Sequence, residues 1–189
     1  MKLGLIKKSE KELLNKIAEA NENENSLWYI PNLLIPIGAI ILTIICFFAF
    51  SDKRYDYAIY ANLILNGSLP LIAINQISGT GVYIFRFDRN KERLANLDND
   101  TISLRTKLLY SSFGILTVGV ILFAFQVINT PYLNPYLVLF LLAISSFLIW
   151  ISSNVAKKIF LLQEDFIEKT FDDNMRDKSK ELGKDWSNR

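Results

Sequence analysis

Amide and hydroxyl side chains occur inside an apolar stretch, residues 57–85, that contains no charged residue. Amides in hydrocarbon seek hydrogen-bond partners, and an interhelical bond of this kind contributes roughly 0.6–2 kcal/mol. The pattern predicts either a contact that holds helices or subunits together, or a polar path for an ion, water or a lipid head group. Both interpretations place the chemistry of the chain in this stretch.

Several of these side chains share one side of a helix at 100° per residue. Pro70 has no N–H group, so it leaves the carbonyl of Asn66 without its helical partner. A broken helix at membrane depth is tolerated only inside protein or beside a water-filled cavity. The candidate residues for a helix contact, an oligomer contact or a polar path are Asn62, Asn66, Pro70, Gln76 and Thr80.

Four long uncharged apolar stretches provide the elements that position these side chains. Stretches of more than about 18 apolar residues are typical of transmembrane helices. A soluble four-helix bundle would need charges on its outward faces, and these stretches have none. The sequence therefore predicts an all-α membrane protein whose bundle, residues 30–156, has four transmembrane helices at about 30–50, 57–85, 108–127 and 135–156.

The lysines and arginines predict the orientation of the bundle. Nineteen of the 21 lie in the arm 1–29, the loop 86–107 and the tail 157–189, which four spans place on one side. The opposite side carries only Lys53 and Arg54. Because positive charge is retained on the cytoplasmic side, we expect both termini in the cytoplasm. The short loops on the other side exclude an external binding domain.

Amphipathic helices are predicted on the cytoplasmic side. Ser9 and Glu12 have the spacing of a capping box, which predicts a helix starting near Glu10 in the arm. The tail is expected to continue the fourth helix with one apolar face, which must be covered by other cytoplasmic helices, a second copy, a partner protein or the membrane surface. The candidate docking residues on this face are Phe160, Ile167, Phe171 and Met175.

The residue types also exclude several functions. The chain has no histidine, which removes histidine-based catalysis, metal ligation and pH switching. The single cysteine, Cys46, lies in the first span and cannot form an intrachain disulfide. No catalytic set, phosphate-binding loop or metal set emerges, so we expect no enzyme and no cofactor. A net charge of +2 gives no general attraction to nucleic acid, so no direct nucleic-acid binding is expected.

The whole layout resembles the four-span membrane subunit (KwaA) of the Kiwa anti-phage defence system. The resemblance rests on the length, the four spans, the cytoplasmic termini, the small external loops and the amide-rich second span. It implies a homo-oligomeric sensor in the bacterial inner membrane that detects phage-induced disturbance and works with a cytoplasmic DNA-binding protein. Immunity proteins against pore-forming bacteriocins have a similar size and layout.

Three functions follow as hypotheses. The first is a non-enzymatic oligomeric sensor or anchor of the inner membrane that docks a cytoplasmic partner. The second is an immunity protein that intercepts a bacteriocin with its spans. The third is a pore-forming or membrane-perturbing effector built on the second span. The lipid bilayer is a partner in all three, and a second copy of the chain is a partner in the first.

Overall fold

The computed structural model describes residues 7–52, 56–88, 99–129, 134–163 and 166–167. Within these ranges every regular element is helical. The elements, in chain order, are α1 (Lys8–Ala20), α2 (Glu22–Leu27), a π-helical turn (Ile30–Leu34), α3 (Ile35–Phe50), α4 (Tyr57–Leu65), α5 (Ser68–Asp88), α6 (Asn99–Asn129) and α7 (Pro135–Leu161).

Four helical stretches are long and apolar enough to cross a membrane, as predicted. They are Glu22–Phe50, Tyr57–Tyr83, Thr101–Ile128 and Pro135–Leu161. The third stretch begins several residues before the predicted start, because α6 continues without a break through Arg105 and Lys107. An all-helical protein with four candidate spans is therefore confirmed.

The core of the bundle lies where α5 packs against α6 and α7. Ile72, Ala73 and Ile77 of α5 are buried there, together with Leu141 and Leu148 of α7. Large apolar side chains also cover the outer faces. A protein in water rarely exposes apolar surface this extensive, whereas a lipid-facing bundle requires it.

The first span is loosely attached to this core. None of its most apolar segment is buried, whereas 39% of the corresponding segment in the fourth span is buried. Leu42 and Ile45 are exposed on α3. At the C-terminal end of this span, the ring of Phe47 packs edge-to-face on Tyr60 of α4, with centroids 5.4 Å apart. The N-terminal part of the span is held through the π-helical turn, as described below.

The second span is two helices joined at Gly67, not one. The φ angle of Gly67 is +93°, a left-handed conformation that glycine adopts without steric cost. The side chain of Asn66 accepts hydrogen bonds from the N–H and hydroxyl of Ser68 and so caps α5. Pro70 then lies in the first turn of α5, where its missing N–H group costs little.

The N-terminal helix lies across one end of the bundle. Leu14 and Ile17 of α1 are buried with Leu104 and Leu108 of α6 and Ile159 of α7. We call this the α1 end. The helix begins at Lys8 and not at the expected Ser9–Glu12 capping box, because the carboxylate that accepts the N–H of Lys7 (2.7 Å) belongs to Glu10.

The tail does not continue the fourth helix as predicted. Helix α7 ends at Leu161, residues 162 and 163 form a turn and a bend, and the described residues 166–167 are again helical. Of the predicted docking residues, Ile167 is buried at the α1 end, and Phe160 packs edge-to-face against Tyr83, with centroids 6.1 Å apart. These two are therefore covered by the chain itself. Phe171 and Met175 lie outside the described residues.

The break at Gly67 gives a direct test of the fold. A Cβ atom at this position would lie 2.6 Å from a ring carbon of Phe123 and would require a strained φ angle. We expect Gly67→Ala to lower the free energy of unfolding by about 2–4 kcal/mol, from backbone strain and overpacking together. Thermal unfolding of the detergent-solubilised protein measures it.

Gly79→Ala is the matched control, because a Cβ atom at Gly79 would have no neighbouring atom within 4 Å. This variant should keep the unfolding temperature of the natural chain or raise it slightly. Equal unfolding temperatures for Gly67→Ala and Gly79→Ala would show that the left-handed turn against Phe123 is not required.

Candidate functional site

The side chain of Gln76 joins three elements inside the bundle. It is 2% exposed and lies in the middle of α5. Its Nε2 donates a hydrogen bond to the backbone carbonyl of Asn32 in the π-helical turn, at 2.8 Å. Its Oε1 accepts from the hydroxyls of Ser152 (2.5 Å) and Ser153 (3.1 Å) on α7. We call these four residues the Gln76 site.

Proline explains why a backbone carbonyl can take part. In an α-helix the carbonyl of Asn32 would accept from the N–H four residues later, but that residue is Pro36, which has no N–H. The backbone before it is wound as a π-helical turn, in which the N–H of Ile35 donates to the carbonyl of Ile30. Such turns are rare and occur often at functional sites. The amide of Gln76 satisfies the carbonyl of Asn32.

Both polar atoms of the Gln76 side chain are therefore paired at a depth where water is scarce. A polar group buried in an apolar environment without a partner costs several kcal/mol, so this pairing fixes the relative positions of the π-helical turn, α5 and α7. The site consists of neutral donors and acceptors. Its chemistry is recognition and positioning, because none of its side chains titrates near neutral pH.

The structure separates the five residues predicted on the second span. Gln76 and Thr80 are buried on α5, but the hydroxyl of Thr80 donates to the carbonyl of Gln76 in the same helix, at 2.8 Å. Asn62 and Asn66 are exposed, and Pro70 is buried without a polar role. The turn at Gly67 interrupts the helical projection, so Asn62 and Asn66 do not join the Gln76 site.

A second intramembrane contact was not predicted from the sequence. Nε2 of Gln126 in α6 donates to the hydroxyl of Ser145 in α7 at 2.8 Å, and both residues are fully buried. The available signal was a lone amide in the third apolar stretch, which must face the protein interior to find a partner. The two glutamines thus tie α7 to both neighbouring helices.

Charged residues form a second site at the α1 end. The carboxylate of Glu10 is fully buried and accepts from Nζ of Lys107 at 2.7 and 2.8 Å and from the hydroxyl of Ser103 at 3.0 Å. Burial alone would raise the pKa of Glu10, but the hydrogen bonds from Lys107, the Lys7 N–H and Ser103 outweigh it and hold the pKa below its usual value. The ion pair fixes α1 to α6.

Arg105 adds a contact between α6 and the end of α7. Its Nη2 donates to the carbonyl of Leu162, at 3.1 Å, and the side chain is 5% exposed. A guanidinium at this position complements the negative end of the α7 dipole. On the sequence alone, Arg105 and Lys107 were predicted only to contribute to the positive charge that orients the bundle. Their contacts with Leu162 and Glu10 follow from the packing of α1, α6 and α7.

In the described part of the chain, no group of three histidine, cysteine, aspartate or glutamate side chains could hold a metal ion. Comparisons with models of known protein families, with curated proteins and with solved structures find no match in any of the three. The function must therefore be inferred from the geometry of the two sites.

Replacement of Gln76 by leucine should loosen the first span. Gln76→Leu leaves the carbonyl of Asn32 and two serine hydroxyls without this partner, so we expect a loss of about 1–2 kcal/mol in the free energy of unfolding. Thermal unfolding in nanodiscs measures it. Asn75→Leu is the matched control, since the neighbouring Asn75 is exposed on the same helix. If both leucine variants unfold alike, Gln76 does not hold the bundle together.

Docking of α1 should depend on the charge of Glu10. Because its folded pKa lies below the unfolded value, the ion pair stabilises docking at neutral pH and is lost as the pH falls through the folded pKa. We expect Glu10→Gln to increase hydrogen exchange of α1 at pH 7 at least tenfold, as loss of a charge-assisted bond predicts. In the Glu10→Gln protein, the hydrogen exchange of α1, corrected for the intrinsic exchange rate at each pH, should be the same at acidic pH as at pH 7.

The neighbouring exposed Glu12 offers a matched control in Glu12→Gln. This variant changes the net charge by the same amount and leaves the contact with Lys107 intact, so its exchange should equal that of the natural chain. Equal protection of α1 at pH 7 in the Glu10→Gln and natural proteins would contradict the assigned role of the ion pair.

Proposed function

We propose that this protein is a non-enzymatic, homo-oligomeric sensor and anchor of the bacterial inner membrane that docks a soluble cytoplasmic protein at its α1 end. The observation that carries the proposal is the asymmetry of the first span. None of its most apolar segment is buried, and its N-terminal part is linked to the bundle through the Gln76 site. A span held in this way can shift when the lipid around it changes.

The Gln76 site supplies a route from the first span to the α1 end. Ser152 and Ser153 lie about two helical turns before Ile159 on α7, and Ile159 is buried against α1. A displacement of the first span that breaks the bond to Asn32 would also free the amide of Gln76 to move relative to the two serines, whose hydroxyls donate to its Oε1. We infer that α7 carries the signal along its axis to the place where α1 is docked.

The α1 end has the properties of a docking platform. Its inner face is closed by the Glu10–Lys107 ion pair and by the apolar cluster beneath α1. Its outer face presents more lysines than carboxylates of α1, with Lys8, Lys11 and Lys16 exposed beside Glu12 and Glu19. The excess of positive charge favours the cytoplasmic side for this end. The inferred partner is a soluble protein with an acidic surface.

The other two hypotheses receive less support. A pore built on α5 would need a continuous polar lining, but the turn at Gly67 separates Asn62 and Asn66 from Gln76, whose amide is engaged within the chain. An immunity protein needs no platform at the α1 end. On the resemblance to the Kiwa membrane subunit, the stimulus that we propose is membrane disturbance during phage infection.

The mass of the full-length protein purified from its native host in mild detergent tests this function. We expect a homo-oligomer that retains a soluble protein. Lys11→Glu with Lys16→Glu should release that protein and keep the oligomer, because only the exposed charge of α1 changes. Lys11→Arg with Lys16→Arg is the charge-preserving control. A monomer without a bound protein would contradict the proposal.

A further inference from the structure

A groove of about 520 Å³ separates the first span from the fourth. Ile37 and Ile41 of α3 form one wall, and Leu142, Ser146 and Ile149 of α7 form the other. Ile37 and Ile40 of α3 pack against the core of the bundle, and Phe47 packs on Tyr60 near the C-terminal end of the span. The groove is open to its surroundings, because the lining residues Ile41 and Trp150 are exposed.

The length of the groove fits one acyl chain. Its lining runs along α7 from Leu142 to Asn154, and the twelve residue-to-residue steps between them correspond to about 18 Å of helix. One leaflet contributes about half of the roughly 30 Å hydrocarbon core, or about 15 Å. The walls are mostly isoleucine and leucine, which suits a hydrocarbon chain and disfavours water.

The α1 end of the groove carries positive charge. Nζ of Lys157 donates to the hydroxyl of Tyr29 at 2.8 Å and lies 4.1 Å from the centroid of its ring. An ammonium group has three donors, so the contact with Tyr29 leaves Lys157 able to bind a phosphate oxygen as well. Lys158 follows in sequence. Basic sites of this kind between membrane helices bind anionic head groups.

We propose that this groove binds an anionic phospholipid, with one acyl chain between α3 and α7 and the phosphate on Lys157. The inference rests on the proposed function for its orientation, which places the α1 end in the anionic cytoplasmic leaflet. The anionic phospholipid is then the ligand of the proposed sensor. A bound chain keeps the middle of the first span apart from α7, and its loss lets the span move against the Gln76 site.

Native mass spectrometry of the full-length protein, released from nanodiscs of phosphatidylglycerol or phosphatidylcholine, tests the inference. We expect phosphatidylglycerol to survive collisional activation that removes phosphatidylcholine. Lys157→Gln should lower phosphatidylglycerol affinity about fivefold, the effect of one lysine at an anionic surface, with little change for phosphatidylcholine. Ser146→Phe fills the groove and should abolish tight binding of both lipids.

Two substitutions away from the groove serve as controls. Lys16→Gln removes an exposed lysine of α1, and Ser111→Phe adds the same bulk to an exposed serine of α6. Both should keep the lipid binding of the natural chain. Unchanged phosphatidylglycerol binding in Lys157→Gln and Ser146→Phe would overturn the inference. A second copy of the chain seated in the groove, detected by cross-linking at position 41, would also overturn it.

This test is separable from that of the proposed function. If Lys157→Gln loses phosphatidylglycerol but the natural chain captures no soluble protein from its host, the groove assignment stands and the sensor function fails. If the natural chain captures a partner but the groove variants bind lipid normally, the lipid assignment alone fails.

Discussion

The hydrogen bonds of Gln76 are the constraint on which the rest of the structure depends. In hydrocarbon a backbone carbonyl without its helical partner must find one inside the protein. Pro36 creates that need at Asn32, and the amide of Gln76 meets it while Ser152 and Ser153 satisfy the other end of the amide. The span whose apolar segment is least buried is thereby held to α5 and α7 by neutral groups.

The α1 end uses charge where the Gln76 site uses neutral polar groups. Glu10, Lys107 and Ser103 bring α1 onto α6, and Arg105 joins α6 to the end of α7. Because α7 contributes to both sites, a change at the first span has a mechanical connection to α1. The lipid groove lies beside this connection, between α3 and α7. Lipid sensing, transmission along α7 and partner docking thus form one proposed mechanism with three separately testable parts.

The sequence predicted the helical class and the four apolar stretches because hydrocarbon imposes length and composition on every span. It predicted a discontinuity near Pro70 but not the close approach of Phe123 to Gly67, a contact formed only in the folded bundle. Gln76 was identified, whereas its partners were not. A backbone carbonyl has no sequence signature of its own, and Ser152 and Ser153 were indistinguishable from other small residues of α7.

The distance between the first and fourth spans shows whether the hydrogen bonds of Gln76 position the first span. Spin labels at the exposed positions of Leu42 and Leu139, in a Cys46→Ser background reconstituted into bilayers, would report it. We predict a narrow distance distribution in the otherwise natural chain and a broad or shifted one when Gln76 is replaced by leucine. Identical narrow distributions in both proteins would show that the first span is positioned by something other than Gln76.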